Sequence, residues 1–172
     1  QQLLVHGDGQ QCTLVDADER VRTFSLPSGK RLDAIAADGA RAVAVHQDLV
    51  AVIDDDGLRI NGESVAGAED QLQMIAYLDD GTLLGTETGD LVAWTVDGRV
   101  ERRSAHAGAS LIIEPVGVAG ARNRAVTIGQ DRKVLLWDDL VPRVLLESET
   151  VWRGACVSRD GETLFLAGLQ RL

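Results

Sequence analysis

The chain has 172 residues, 45% of them hydrophobic, with three prolines and no low-complexity tract, so it has room for one ordinary domain with a buried core and is not a disordered polymer. Its net charge of −10, from 27 acidic and 17 basic residues, and its 3% aromatic content disfavour a surface that tracks phosphates or stacks single-stranded bases. No apolar run approaches the roughly 20 residues of a membrane helix, and the acidic excess fits plain solubility or a partner with a basic patch.

In chain order, short runs rich in Val, Ile and Leu alternate with turn signals. They are "CTLVDA", "RAVAVH", "LVAVID", "LQMIAYL", "LIIEPVGV", "RAVTIG" and "ETLFLAG". Asp-Gly pairs punctuate them at Asp8-Gly9, Asp38-Gly39, Asp56-Gly57, Asp80-Gly81, Asp97-Gly98 and Asp160-Gly161. Asp-Gly between apolar runs signals a hairpin, because glycine takes the positive φ of the tight turn. Apolar residues show no helical spacing, so the expected class is all-β, built of antiparallel hairpins.

The hairpins recur. Asp8-Gly9, Asp80-Gly81 and Asp160-Gly161 lie 72 and 80 residues apart, two units each of about 36 and 40. Phe24, Trp94 and Trp137 keep a similar rhythm. A period of about 40 with four strands per unit is the signature of a β-propeller, in which stacking neighbours bury faces that one unit cannot bury alone.

On these residues a resemblance can be named. "GQQCTLVDADERVRTFSLPSGKRL", "NRAVTIGQDRKVLLWDDLVPRVLL" and, more loosely, "DGTLLGTETGDLVAWTVDGRV" resemble units of the WD-repeat β-propeller family. "RAVAVHQDLVAVIDDDGLRINGESV" keeps the strand rhythm without an aromatic. The whole chain, 1–172, then reads as a partial propeller of four-stranded antiparallel blades over 3–36, 41–66, 72–105 and 110–148, with half a blade over 153–172. The expected ring is incomplete in this chain, and its remaining blades would come from the same longer chain or from a second chain.

The resemblance also implies a role for four residues. In the family, a His entering the first strand, a Ser or Thr on the second, an Asp in the next turn and a Trp on the third form one hydrogen-bonded chain inside a blade. His106, Thr127, Asp131 and Trp137 match those positions, with Thr127 four residues before Asp131 and Asp131 six before Trp137. Buried indole, hydroxyl, imidazole and carboxylate groups each need a partner, and together they satisfy one another. The rival reading is a hydroxyl–His–Asp catalytic relay, which needs an accessible nucleophile and an oxyanion site. The structural reading is preferred. The first unit keeps Asp18 six residues before Phe24 but has Leu14 at the hydroxyl position. The third has Thr88 at the Asp position and Leu84 at the hydroxyl position, and the second has none of the pattern.

Other candidates read as ordinary turns and edges. His6 and His46, in "HGD" and "HQD", suggest a metal only with ligands that are not evident. "DADE" (Asp16–Glu19) and "DDDG" (Asp54–Gly57) lack the alternating ligands and downstream Glu of a calcium loop. Arg99, Arg102 and Arg103 read as a charged outer edge in preference to a site for an acidic partner. Glu114 and Tyr77 are the notable polar residues on first strands. Arg132 and Lys133, beside Asp131, and Trp152, where the chain enters the fifth unit, are the candidate rim contacts for a partner, although Trp152 has an equal claim to pack against the neighbouring blade. No nucleotide, zinc or nucleophile-elbow motif occurs, so no cofactor or metal and no enzymatic activity are expected. Cys12 and Cys156 demand no disulfide, which suits a reducing, cytoplasmic setting. The expectation is a non-catalytic scaffold or sensor module that binds other proteins, with no membrane and no nucleic acid. The alternative is an enzyme or small-ligand binder using a central channel.

Overall fold

The structure, a computed structural model, describes residues 2–5, 11–15, 20–26, 28, 30–35, 39–66, 68, 71–116, 123–158 and 160–169. Among these residues there is no helix: eighteen strands form four four-stranded antiparallel sheets and one of two strands. The protein is all-β, as the alternation of apolar runs and tight turns requires. His6, the Asp8-Gly9 turn, Asp16–Glu19 and Asp38 lie outside the described residues. The chain divides into two compact units, Gln1–Ile75 and Ala76–Leu172.

In the first unit, β1 (Gln2–Val5), β2 (Gln11–Val15), β3 (Val21–Ser25) and β4 (Arg31–Ile35) lie side by side in chain order. So do β5 (Ala42–His46), β6 (Leu49–Asp54), β7 (Gly57–Ile60) and β8 (Glu63–Ser64). The first strand of the second sheet, β5, lies against β1 and β2. Val15 and Val21 of one sheet pack with Val43 and Val52 of the next and with Ala40 just ahead of it, removing two apolar faces from water at once. The buried Thr13 hydroxyl is satisfied across the β2–β3 pair by Thr23, at 2.9 Å. Gly39 has the positive φ expected of an Asp-Gly glycine, +76°, but it lies between β4 and β5. Gly39 therefore marks a crossing between sheets and not a hairpin.

The boundary between the units falls within β9 (Met74–Tyr77). With β10 (Leu83–Thr86), β11 (Asp90–Trp94) and β12 (Val100–Ser104) it makes the third sheet. The fourth is β13 (Ser110–Pro115), β14 (Arg124–Gly129), β15 (Lys133–Asp138) and β16 (Val141–Glu147). β17 (Val151–Val157) and β18 (Leu164–Leu169) make the fifth, so that unit starts at Val151, two residues ahead of the expected Arg153. β17 lies against β13, again first strand to first strand. Val116, Val126, Ile128 and Val134 form the core between these two sheets, with Trp152, Ala155, Val157, Leu164 and Leu166 packed onto it.

Candidate functional site: a closed polar chain in the fourth sheet

The site is built on the β14–β15 hairpin. Its three-residue turn, Gln130 to Arg132, puts Arg132 at φ +64° and returns the Arg132 N–H to the Gly129 carbonyl at 3.1 Å. Asp131, in the middle of that turn, accepts the Lys133 N–H at 3.1 Å on Oδ1 and the Ala107 N–H at 3.1 Å on Oδ2. The segment bearing His106 is anchored from the other side. The N–H groups of Ala105 and His106 both donate to the carbonyl of Gly89, at 2.8 Å each, at the tip of the β10–β11 hairpin. Gly89 sits at φ +83°, and a side chain there would collide with the His106 carbonyl.

Between these anchors the four side chains connect. His106 Nδ1 is 2.9 Å from Asp131 Oδ1, and His106 Nε2 is 2.9 Å from Thr127 Oγ1. Trp137 Nε1–H donates to Thr127 Oγ1 at 2.8 Å. The indole can only donate and the carboxylate can only accept, so one arrangement of protons satisfies every atom. Trp137 donates to Thr127, Thr127 O–H donates to His106 Nε2, and His106 Nδ1–H donates to Asp131. The imidazole is therefore neutral, with its proton on Nδ1.

The electrostatics agree. Burial, aided by the Lys133 charge, holds the His106 pKa below its ordinary 6.5, outweighing the pull of Asp131. Partial burial alone would raise the Asp131 pKa. The N–H bonds from Ala107 and Lys133 and the His106 ring together hold it below the ordinary 3.8.

One contributor gives no polar signal. A Cβ at Gly129 would overlap the His106 ring, so the imidazole occupies the space left by a missing side chain. The sequence reading missed Gly129 and Gly89. A signal existed in that both glycines lie at or beside hairpin tips, but neither stands in an Asp-Gly pair.

The connectivity of Asp131, His106 and Thr127 is that of a catalytic relay, but the hydroxyl is not available for attack. Thr127 is 0% exposed, and its oxygen already holds both the indole N–H and the imidazole. An acyl donor would have nowhere to approach.

The third sheet corrects one assignment. Its β10–β11 hairpin closes with Glu87 and Asp90 exchanging backbone hydrogen bonds around two residues, Thr88 and Gly89, one fewer than in β14–β15. Trp94 consequently pairs with Leu83, as Trp137 pairs with Ala125. The hydroxyl position, two residues further along, is Gly85 and not Leu84. Glu87 stands where the fourth sheet has Gly129, and its buried carboxylate is ion-paired with Arg102 from β12. Trp94 Nε1 is buried without a hydrogen-bond partner among the described residues.

The remaining candidates find these places. Arg102 serves Glu87, Arg99 pairs with Asp97 at 2.8 Å and Arg103 pairs with Glu101 at 2.8 Å, so each of the three has a carboxylate partner within its own sheet. Asp54 and Asp56 both pair with Arg59. Among the described residues, no group of three or more His, Cys, Asp or Glu side chains is placed to hold a metal. His46 ends β5. Burial pushes Tyr77 up to about 12 and raises the Glu114 pKa above its ordinary value against a backbone hydrogen bond from Val157. Cys12 and Cys156 are free thiols. Among the described residues, no helix is long and apolar enough to cross a membrane.

Of the three rim residues, Arg132 is exposed and Lys133 half-buried, as a hairpin tip dictates. Trp152 is not an exposed rim anchor. It is half-buried, its ring lies over Gly168 and it packs on the core between the fourth and fifth sheets. The apolar ring is better shielded there than in water. Lys133 lines a groove of about 400 Å³ with Ser104, Ala105, Leu135, Pro142 and Val144. Compared with known proteins, the chain matches no family model and no curated protein.

Proposed function

We propose that the chain is a section of a WD-repeat-type β-propeller that serves as a non-catalytic module for binding other proteins inside the cell. The reading is carried by the polar chain His106–Thr127–Asp131–Trp137, whose donors and acceptors are used up on one another around a fully buried hydroxyl. A group spent in this way stabilises a scaffold and performs no turnover. The architecture supports the reading too. Strands run in chain order within each four-stranded sheet, and first strand lies against first strand where β1 meets β5 and where β13 meets β17. That is the arrangement expected of neighbouring blades.

A scaffold carrying this chain of bonds loses stability and no chemistry when the chain is cut. Thr127→Ala is expected to lower the melting temperature by several degrees, since it strands an indole donor and an imidazole acceptor at about 1–3 kcal/mol. Thermal unfolding measures this. Loss of a hydrolase activity with stability unchanged would contradict the reading. The channel-ligand alternative rests on Glu114, whose carboxyl is raised by burial on the first strand β13. Glu114→Gln should leave partner binding intact if the scaffold reading holds.

A further inference from the structure

We propose that Asn61 is a site of covalent modification. Its side-chain amide closes onto the Gly62 nitrogen, releases ammonia and reopens with water as aspartate or isoaspartate, and the isoaspartate product frees the outer strand β8.

Asn61 and Gly62 are the turn of the β7–β8 hairpin, between the paired residues Ile60 and Glu63. Both take positive φ, +50° and +86°, as the tightest hairpin turn requires. Asn61 is bonded twice to Val50 of β6. Its N–H donates to the Val50 carbonyl at 2.8 Å, and its Oδ1 accepts the Val50 N–H at 2.8 Å. The nucleophile is the Gly62 N–H, which carries no hydrogen bond among the described residues. A Cβ at Gly62 would meet open space, so nothing crowds the attack. Attack places negative charge on Oδ1, the atom at which the Val50 N–H is already aimed, and a donor held where charge develops lowers the barrier. Asn61 to Ser64 are exposed, and Asn61, Glu63 and Ser64 border an open groove of about 380 Å³, so water reaches the site. Ring closure needs the backbone at Asn61 to rotate out of its turn. β8 resists this little, because it has only two residues, Glu63 and Ser64, both exposed.

Water is the only co-reactant. It takes the proton from the Gly62 nitrogen as the nitrogen bonds to Asn61 Cγ. The Cγ–Nδ2 bond then breaks, and ammonia leaves with a proton returned from water. A second water opens the succinimide at either carbonyl. Opening at Cγ leaves aspartate. Opening at the main-chain carbonyl leaves isoaspartate, in which the chain runs through Cγ. Nothing is oxidised or reduced, and the net change is a hydroxyl in place of an amino group. Isoaspartate lengthens the main chain of a two-residue turn by one carbon, which breaks the Ile60–Glu63 register that holds β8 at the edge of its sheet. The chain has one other asparagine, Asn123, and it is a control within the molecule. Its amide donates to Asp80, and the residue that follows is Arg124, paired with Asp138 in the fourth sheet.

The test ages the purified chain in mildly alkaline buffer at body temperature and follows it by peptide mass spectrometry. The peptide holding Asn61 should gain the mass of the exchanged group and resolve into aspartate and isoaspartate forms, while the peptide holding Asn123 stays unchanged. The gain in mass separates this reaction from isomerisation at the Asp-Gly pairs, which leaves mass unaltered. Gly62→Asp should slow the gain, because a side chain beside the nitrogen hinders ring closure. Aspartate is among the few residues that visit positive φ, and it meets open space there, so the turn is kept. Amide hydrogen exchange in β8 and at Val65, whose N–H donates to the Leu58 carbonyl at 2.9 Å, should be faster in the isoaspartate fraction. No gain in mass at Asn61, a gain no faster than at Asn123, aspartate as the sole product, or an unaltered rate in Gly62→Asp would overturn the modification. Unaltered exchange in the isoaspartate fraction would overturn the release of β8.

Discussion

The third and fourth sheets carry a tryptophan at the same place on the third strand, and they treat it differently. In the fourth, Trp137 donates to Thr127, the hydroxyl passes to His106, and Asp131 closes the chain. In the third, Gly85 has no side chain to offer Trp94, and Glu87 stands at the register position that Gly129 holds in the fourth. Glu87 then needs a cation, which Arg102 brings from the outer strand. One residue of turn length and two exchanges, Thr127 for Gly85 and Gly129 for Glu87, thus separate a largely buried network around a neutral imidazole from an ion pair open to water on one side. A fully satisfied, largely buried network is worth more per bond than a pair whose cation is 40% exposed and screened.

The comparison breaks most sharply at Gly129. Gly129→Ala forces the His106 ring out and disconnects all four groups, and should cost about 3 kcal/mol in denaturant unfolding. Arg102→Ala, the corresponding cut in the third sheet, should cost only about 1 kcal/mol, because water reaches the pair. If the two variants cost the same, the sheets do not differ as argued.

Acid should act on the fourth sheet. The folded His106 is held neutral below its ordinary 6.5, so below that pH the unfolded chain binds the extra proton first. Stability therefore falls as pH drops through and below 6.5, and Asp131, with its pKa below 3.8, adds a loss of the same sign at lower pH. Melting temperatures at pH 8 and pH 5 should differ less in His106→Gln than in the unaltered chain. The smallest effect belongs to Trp94→Phe. It removes a buried donor that has no partner among the described residues, and the melting temperature should stay within about a degree or rise.

Much of this was legible in the residues. Strand alternation and Asp-Gly turns announced an all-β chain of antiparallel hairpins, and the spacing of His106, Thr127, Asp131 and Trp137 marked residues that prove to be bonded. Counting back from an aromatic fails where turn length changes, and so Leu84 stood in for Gly85. A glycine that matters for the room it leaves, such as Gly129, has no side chain to draw notice. Trp152 could be weighed between rim and core only once β17 was placed against β13, because nothing local to "ETVWRGA" says which way the ring faces.

Thr127 and Trp137 act as one unit in stabilising the fold. A double-mutant cycle of Thr127→Val and Trp137→Phe, followed by chemical unfolding, tests it most directly. Non-additive losses, with a coupling of about 1 kcal/mol or more, are expected. Additive losses would contradict it.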